Sequence, residues 1–87
     1  MLKLITGSQI RAARALLDWS GADLASRVGL SRNTIAKLEQ TNLIPSMRLQ
    51  TLIDLKCVFE NAGIEFIGTP DNGPGVRFRS KTDEKTT

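Results

Sequence analysis

Apolar residues recur at helical spacing in four stretches of the first two thirds of the chain, then switch to strand-like alternation. Ile10, Ala13, Leu16 and Leu17 follow a Thr6/Gln9 pair spaced for a capping box, so the spacing predicts a first helix ending near Asp18. Ser20 with Asp23 opens a second, shorter helix that buries Leu24, Ala25 and Val28. Gly29 is placed to end it in the left-handed conformation. Ser31 caps a third helix, which runs to about Gln40 with Ile35 and Leu38 inward. Thr41 to Pro45 breaks the pattern, and Ser46 is expected to cap a fourth helix ending at Ala62–Gly63. The apolar positions of that helix, Leu49, Leu52, Ile53, Leu55, Cys57 and Phe59, cover an arc wider than an ordinary surface helix needs. Either it is buried on several sides or part of it faces another subunit.

Beyond Gly63 the segments Ile64-Glu65-Phe66-Ile67 and Val76-Arg77-Phe78-Arg79 alternate, with β-branched or aromatic residues at their apolar positions. Residues 68–75 between them are dense in turn formers. This reads as a β-hairpin, or as two short strands that pair with a symmetry mate. An isolated hairpin is marginal in water, so the strands must pack on something. The expected class is mainly α: four helices with a short C-terminal β-hairpin or strand pair. The chain divides into a helical domain over 1–62, a β extension over 63–79 that is a candidate dimerisation element, and a polar, disordered tail over 80–87.

Composition narrows the chemistry. Eighty-seven residues with 40% apolar content make one small core and leave little room for a substrate pocket. Histidine is absent, which removes the commonest general base and nitrogen metal ligand. Cys57 is the only cysteine, so neither an intrachain disulfide nor a thiolate metal cluster can form. Its place on the apolar arc suggests a core residue rather than a reactive thiol. The expectation is a protein that is not an enzyme, with no catalytic residues, cofactor or metal. The opening MLKLITGSQI does not read as a signal peptide, and nothing approaches the roughly 20 apolar residues of a membrane span. A soluble, cytoplasmic protein is expected.

The net charge is +3 and unevenly spread. Lys3, Arg11, Arg14, Arg27, Arg32, Lys37 and Arg48 stand against Asp18, Asp23 and Glu39. Further on, Lys56 stands against Asp54, Glu60, Glu65 and Asp71. Arg77, Arg79 and Lys81 form a second basic patch. A basic front half favours a polyanionic partner.

The pair of short helices joined by Gly29-Leu30-Ser31 has the connection of a helix-turn-helix, with Leu30 plugging the gap between them. On the third helix Asn33, Ala36, Lys37 and Gln40 point away from Ile35 and Leu38, and Arg32 lies on the flank. That outward face carries no acid. Arginine can fork onto guanine, asparagine onto adenine, and alanine leaves room for a thymine methyl. The helix N-terminus at Ser31 offers free N–H groups to phosphate.

From residue 8 to about residue 60 the chain resembles the Xre/Cro-type helix-turn-helix family of phage repressors and bacterial regulators. The matching string runs Ile10-Arg11-Ala12-Ala13-Arg14, Leu17-Asp18-Trp19-Ser20, Leu24-Ala25 and Val28 to Glu39, then Ile44-Pro45-Ser46 and a leucine-spaced helix. The resemblance implies a lambda-repressor-like domain that binds double-stranded DNA, a pseudo-palindromic operator, as a homodimer. Arg32, Asn33 and Lys37 match positions that meet base edges or nearby phosphates in that family, and Asn42 resembles a phosphate-contact position or a turn residue. With them, Ala36 is a base-reading candidate, and Gly21, Ser31, Thr34 and Gln40 are phosphate candidates, Thr34 equally well turned toward the backbone or the core edge. The resemblance also makes Arg14 and Glu39 a structural ion pair joining the first helix to the third. The chain departs from the pattern at Gly21, where many relatives carry a glutamine that reaches phosphate, so this clamp is expected to be weak. Trp19 is expected to staple the first two helices. The alternative function is an antitoxin-like protein-interaction module with secondary DNA binding.

Overall fold

A computed structural model describes residues 4–79; Lys3, Lys81 and the tail expected over 80–87 lie outside them. Its elements run α1 (Gly7–Leu16), α2 (Gly21–Val28), α3 (Arg32–Glu39), α4 (Leu49–Asn61), β1 (Ile64–Thr69) and β2 (Asn72–Phe78). The first three helices start where short polar side chains can satisfy free backbone donors. Thr6 and Gln9 close a capping box on α1, with bonds of 2.9 and 3.1 Å. Ser20 and Asp23 do the same on α2, and the Ser31 hydroxyl accepts from the Thr34 N–H. α2 ends at Gly29 with φ +73°, and α1 ends through Asp18 at φ +57°, whose neighbour Trp19 donates its N–H to the Arg14 carbonyl. Both chain reversals use the left-handed conformation, which costs glycine nothing and aspartate little more.

Two expectations change here. Ser46 does not cap α4, which begins at Leu49 after Arg48 with no side-chain cap bond. The chain between is held instead by the burial of Pro45 and the packing of Met47 against the core. The turn formers at 68–75 are not all turn: both strands run into them, and Thr69 faces Asn72 across a two-residue turn. Gly68 and Gly73, at φ +74° and +66°, absorb an irregularity in the ladder after Ile67. A Cβ on Gly68 would lie 2.1 Å from the Gly73 carbonyl oxygen, so no larger residue fits. The two strands pair with each other, antiparallel.

The core joins all six elements. Ile5, Ile10, Ala13, Leu24, Ile35, Leu55, Phe59 and Ile64 are buried in one cluster that also takes in Phe66 of β1. The hairpin therefore completes the helical core rather than hanging from it. Phe59 stacks on Trp19 at 5.7 Å and meets Phe66 edge-on at 5.9 Å. Trp19 thus ties the end of α1 to α4, and reaches α2 through the Arg27 guanidinium 4.0 Å above its ring. On α4 Leu52, Leu55 and Phe59 are buried, while Leu49 and Cys57 are exposed and Ile53 is half-buried. Cys57 is consequently a surface thiol, not a core residue. Among the described residues no helix is long and apolar enough to cross a membrane.

Candidate nucleic-acid interface

α3 is anchored through Ile35 and Leu38, both buried, with Leu30 of the preceding turn half-buried beside them. Its 3.6-residue repeat then leaves Arg32, Asn33, Ala36 and Lys37 exposed, and Gln40 exposed as its C-terminal cap. None of these side chains is acidic. The one carboxylate of the helix, Glu39, is only 7% exposed and accepts a forked pair of bonds from Arg14, at 2.7 and 2.8 Å. These bonds hold the Arg14 guanidinium above its ordinary pKa, while its remaining terminal nitrogen donates to the Trp19 carbonyl at 3.0 Å. The helix's one negative charge is thus turned inward and neutralised by Arg14.

An open groove runs between the starts of α2 and α3. Ser20, Gly21 and Ala22 form one wall, and Ser31, Arg32, Asn33 and Ala36 the other, with Arg14 and Glu39 also among its lining residues. Both walls are helix N-termini, where first-turn N–H groups lack partners along the helix and the dipole end is positive. The Thr34 hydroxyl lies 2.8 Å from that of Ser31, so these two side chains belong to the cap at the helix entrance. A Cβ added at Gly21 would meet nothing within 4 Å. Lys37 and Thr34 line a second, smaller groove with Leu43, Ile44 and Met47. Asn42 is exposed in the loop that follows. Gly21, Ser31, Arg32, Asn33 and Ala36 are brought together; Gln40 and Asn42 stand at the opposite end of the helix.

That opposite end holds what sequence reasoning missed. Gly7 donates its N–H to the Leu43 carbonyl at 3.0 Å, and a Cβ there would come within 2.1 Å of the Leu38 carbonyl oxygen and 2.4 Å of that of Thr41. Arg11 donates to the Glu39 main-chain carbonyl at 2.6 Å. Gln9, beyond its capping role, donates to the carbonyls of Ile67 and Gly75 on the two strands. These contacts join residues 28 to 66 positions apart, and no local spacing announces them. Arg77, expected on a wet strand face, forks onto Glu65 there, which raises its pKa.

The turn, the buried inner side of α3 and its cationic and amide-bearing outer side define a helix-turn-helix DNA-binding domain. Residues 10–49 match the model of the Helix-turn-helix family. That segment, 40 of the 87 residues, is what the chain shares with the Xre/Cro-type helix-turn-helix family of regulators. No curated protein matches the chain.

Proposed function

We propose that the protein is a cytoplasmic transcriptional regulator that reads a pseudo-palindromic operator as a homodimer, with α3 in the major groove. Arg32, Asn33 and Lys37 address base edges, and Ala36 leaves space for a thymine methyl. The N–H groups at Gly21 and Ser31, with Thr34, Gln40 and Asn42, meet phosphates on either side. The observation that carries this reading is the acid-free outer face of α3, kept so by the withdrawal of Glu39 onto Arg14. The dimer is supported by scale: the described chain measures 40 × 28 × 21 Å, so two copies side by side suit reading helices about 34 Å apart. Exposed Leu49 and Cys57 and half-buried Ile53 on α4, with exposed Phe78 on β2, supply apolar surface for that contact.

Selection of bound sequences from random duplexes, with affinity followed against salt, tests the reading. A motif with two related half-sites and a steep salt dependence is the expected result. No enrichment and a flat salt response would end it. Light scattering at micromolar concentration is expected to give twice the chain mass, alone or on duplex; a monomer under both conditions removes the dimer.

A further inference from the structure

Arg11 has no part in the interface just described, yet it makes a short bond to the reading helix. Its Nη1 donates to the main-chain carbonyl of Glu39, the last residue of α3, at 2.6 Å. A helix C-terminus carries carbonyls without partners and the negative end of the dipole, so a guanidinium is well matched to it. Arg14, one turn along the same face of α1, holds the side chain of that same glutamate. The two bonds are not equivalent: a side chain can pivot about its own torsions, whereas a bond to the main chain fixes the helix itself.

We propose that Arg11 is a positioning residue for sequence reading, setting the tilt at which α3 presents Arg32, Asn33 and Lys37 without itself touching a base. α3 spans eight residues, about 12 Å at 1.5 Å per residue. A tilt of about 10° about its C-terminal end moves its first residue by about 2 Å. Hydrogen bonds keep their strength over only about 0.5 Å, so base contacts at the far end are the first to suffer. The leverage is set by geometry: Arg11 acts at one end of α3, and Arg32 and Asn33 lie at the other. Gly7 works in the same direction, because its missing side chain lets α1 approach the Leu38 and Thr41 carbonyls closely.

This inference rests on the operator reading, and its test separates the two. Affinities of the unmodified protein, Arg11→Ala and Arg11→Lys are measured on the selected duplex and on a scrambled one, across a salt series. For Arg11→Ala the preference for the selected duplex is expected to fall about tenfold, the worth of one good base contact. Scrambled-duplex affinity and salt slope should stay close to those of the unmodified protein. Lysine, which can still donate to the carbonyl, restores most of the preference. A slope lower by about one unit, with equal losses on both duplexes, would make Arg11 a phosphate contact and overturn the proposal. Unchanged preference in Arg11→Ala, with the unmodified protein still selective, overturns it while leaving the operator reading intact. If the unmodified protein selects no sequence, both fall.

Discussion

At its C-terminal end α3 is fastened to α1 by a main-chain bond from Arg11, a forked ion pair from Arg14 and the close approach of Gly7. At its N-terminal end it is held by the Ser31 cap and the apolar packing of Leu30 and Ile35, with no side-chain hydrogen bond to α1 among the described residues, and the groove toward α2 stands open beside Gly21. One end is built for placement and the other is left free to meet a ligand. A short helix offered to DNA needs both: its base-reading side chains must be exposed, so its orientation has to be fixed from behind. Breaking the Arg14 fork or crowding Gly7 should therefore register mainly as stability, loss of the Arg11 bond as sequence preference through placement, and substitutions at the open end directly as binding.

The largest effect is expected from Arg14→Ala, which leaves the nearly buried Glu39 carboxylate without its fork. Chemical denaturation should show a loss of about 2–4 kcal/mol, below the upper range for such pairs because Arg14 is partly exposed. Next comes Gly7→Ala: its methyl group collides with backbone oxygens that cannot rotate away, and a loss of about 1–3 kcal/mol is expected by the same measurement. If either variant melts like the unmodified protein, the C-terminal end is not the fastened one. At the open end Arg32→Ala and Asn33→Ala should each lower discrimination between selected and scrambled duplex by about 1–3 kcal/mol, with melting nearly unchanged. Equal losses on every duplex would mark them as phosphate contacts.

Smaller still is Gly21→Gln. A Cβ there meets nothing within 4 Å, and replacing glycine in a helix favours folding by up to about 1 kcal/mol. It should tighten binding a few-fold on all duplexes alike, in steady-state titrations, without altering the selected motif. Unchanged affinity would show that the groove beside α2 does not face phosphate. The mildest effect concerns the α2 cap. Asp23 accepts from the Ser20 N–H, and this bond, ahead of the Ser20 hydroxyl and Arg27, holds its carboxyl below the ordinary value of 3.8. Its contribution is thus complete above that value and lost as the pH falls through the lowered one. Melting of Asp23→Asn should accordingly depend less on pH in acid than melting of the unmodified protein; identical profiles would discount the bond.

The helix starts at Thr6, Ser20 and Ser31 were legible because a cap is a local contract between residues three apart. Gly29 was legible for the same reason. Ser46 offered an equally good local signal, but burying Pro45 and packing Met47 outweighed it and delayed α4 by two residues. The wide apolar arc of α4 did not reveal which part faces inward, so Cys57 was placed on the wrong side. In the hairpin, glycine and proline carry no alternation, which hid the strand lengths while leaving the antiparallel pairing plain. For the interface, the exposed side of α3 followed from periodicity. What holds it there, Gly7 and Arg11, depends on residues brought together only by folding.

Gln9 gives the sequence a meaning that its capping role alone does not. Its oxygen accepts from the Thr6 N–H, and its nitrogen donates to the carbonyls of Ile67 and Gly75, in a site only 4% exposed. Glutamate caps a helix start equally well, but here it would turn a charged acceptor toward two more acceptors, with little water to separate them. The choice of amide over acid at this position is thus a chemical label. In a related chain, a glutamine there would announce that a C-terminal hairpin is docked on the first helix, and a glutamate that it is absent or attached in another way.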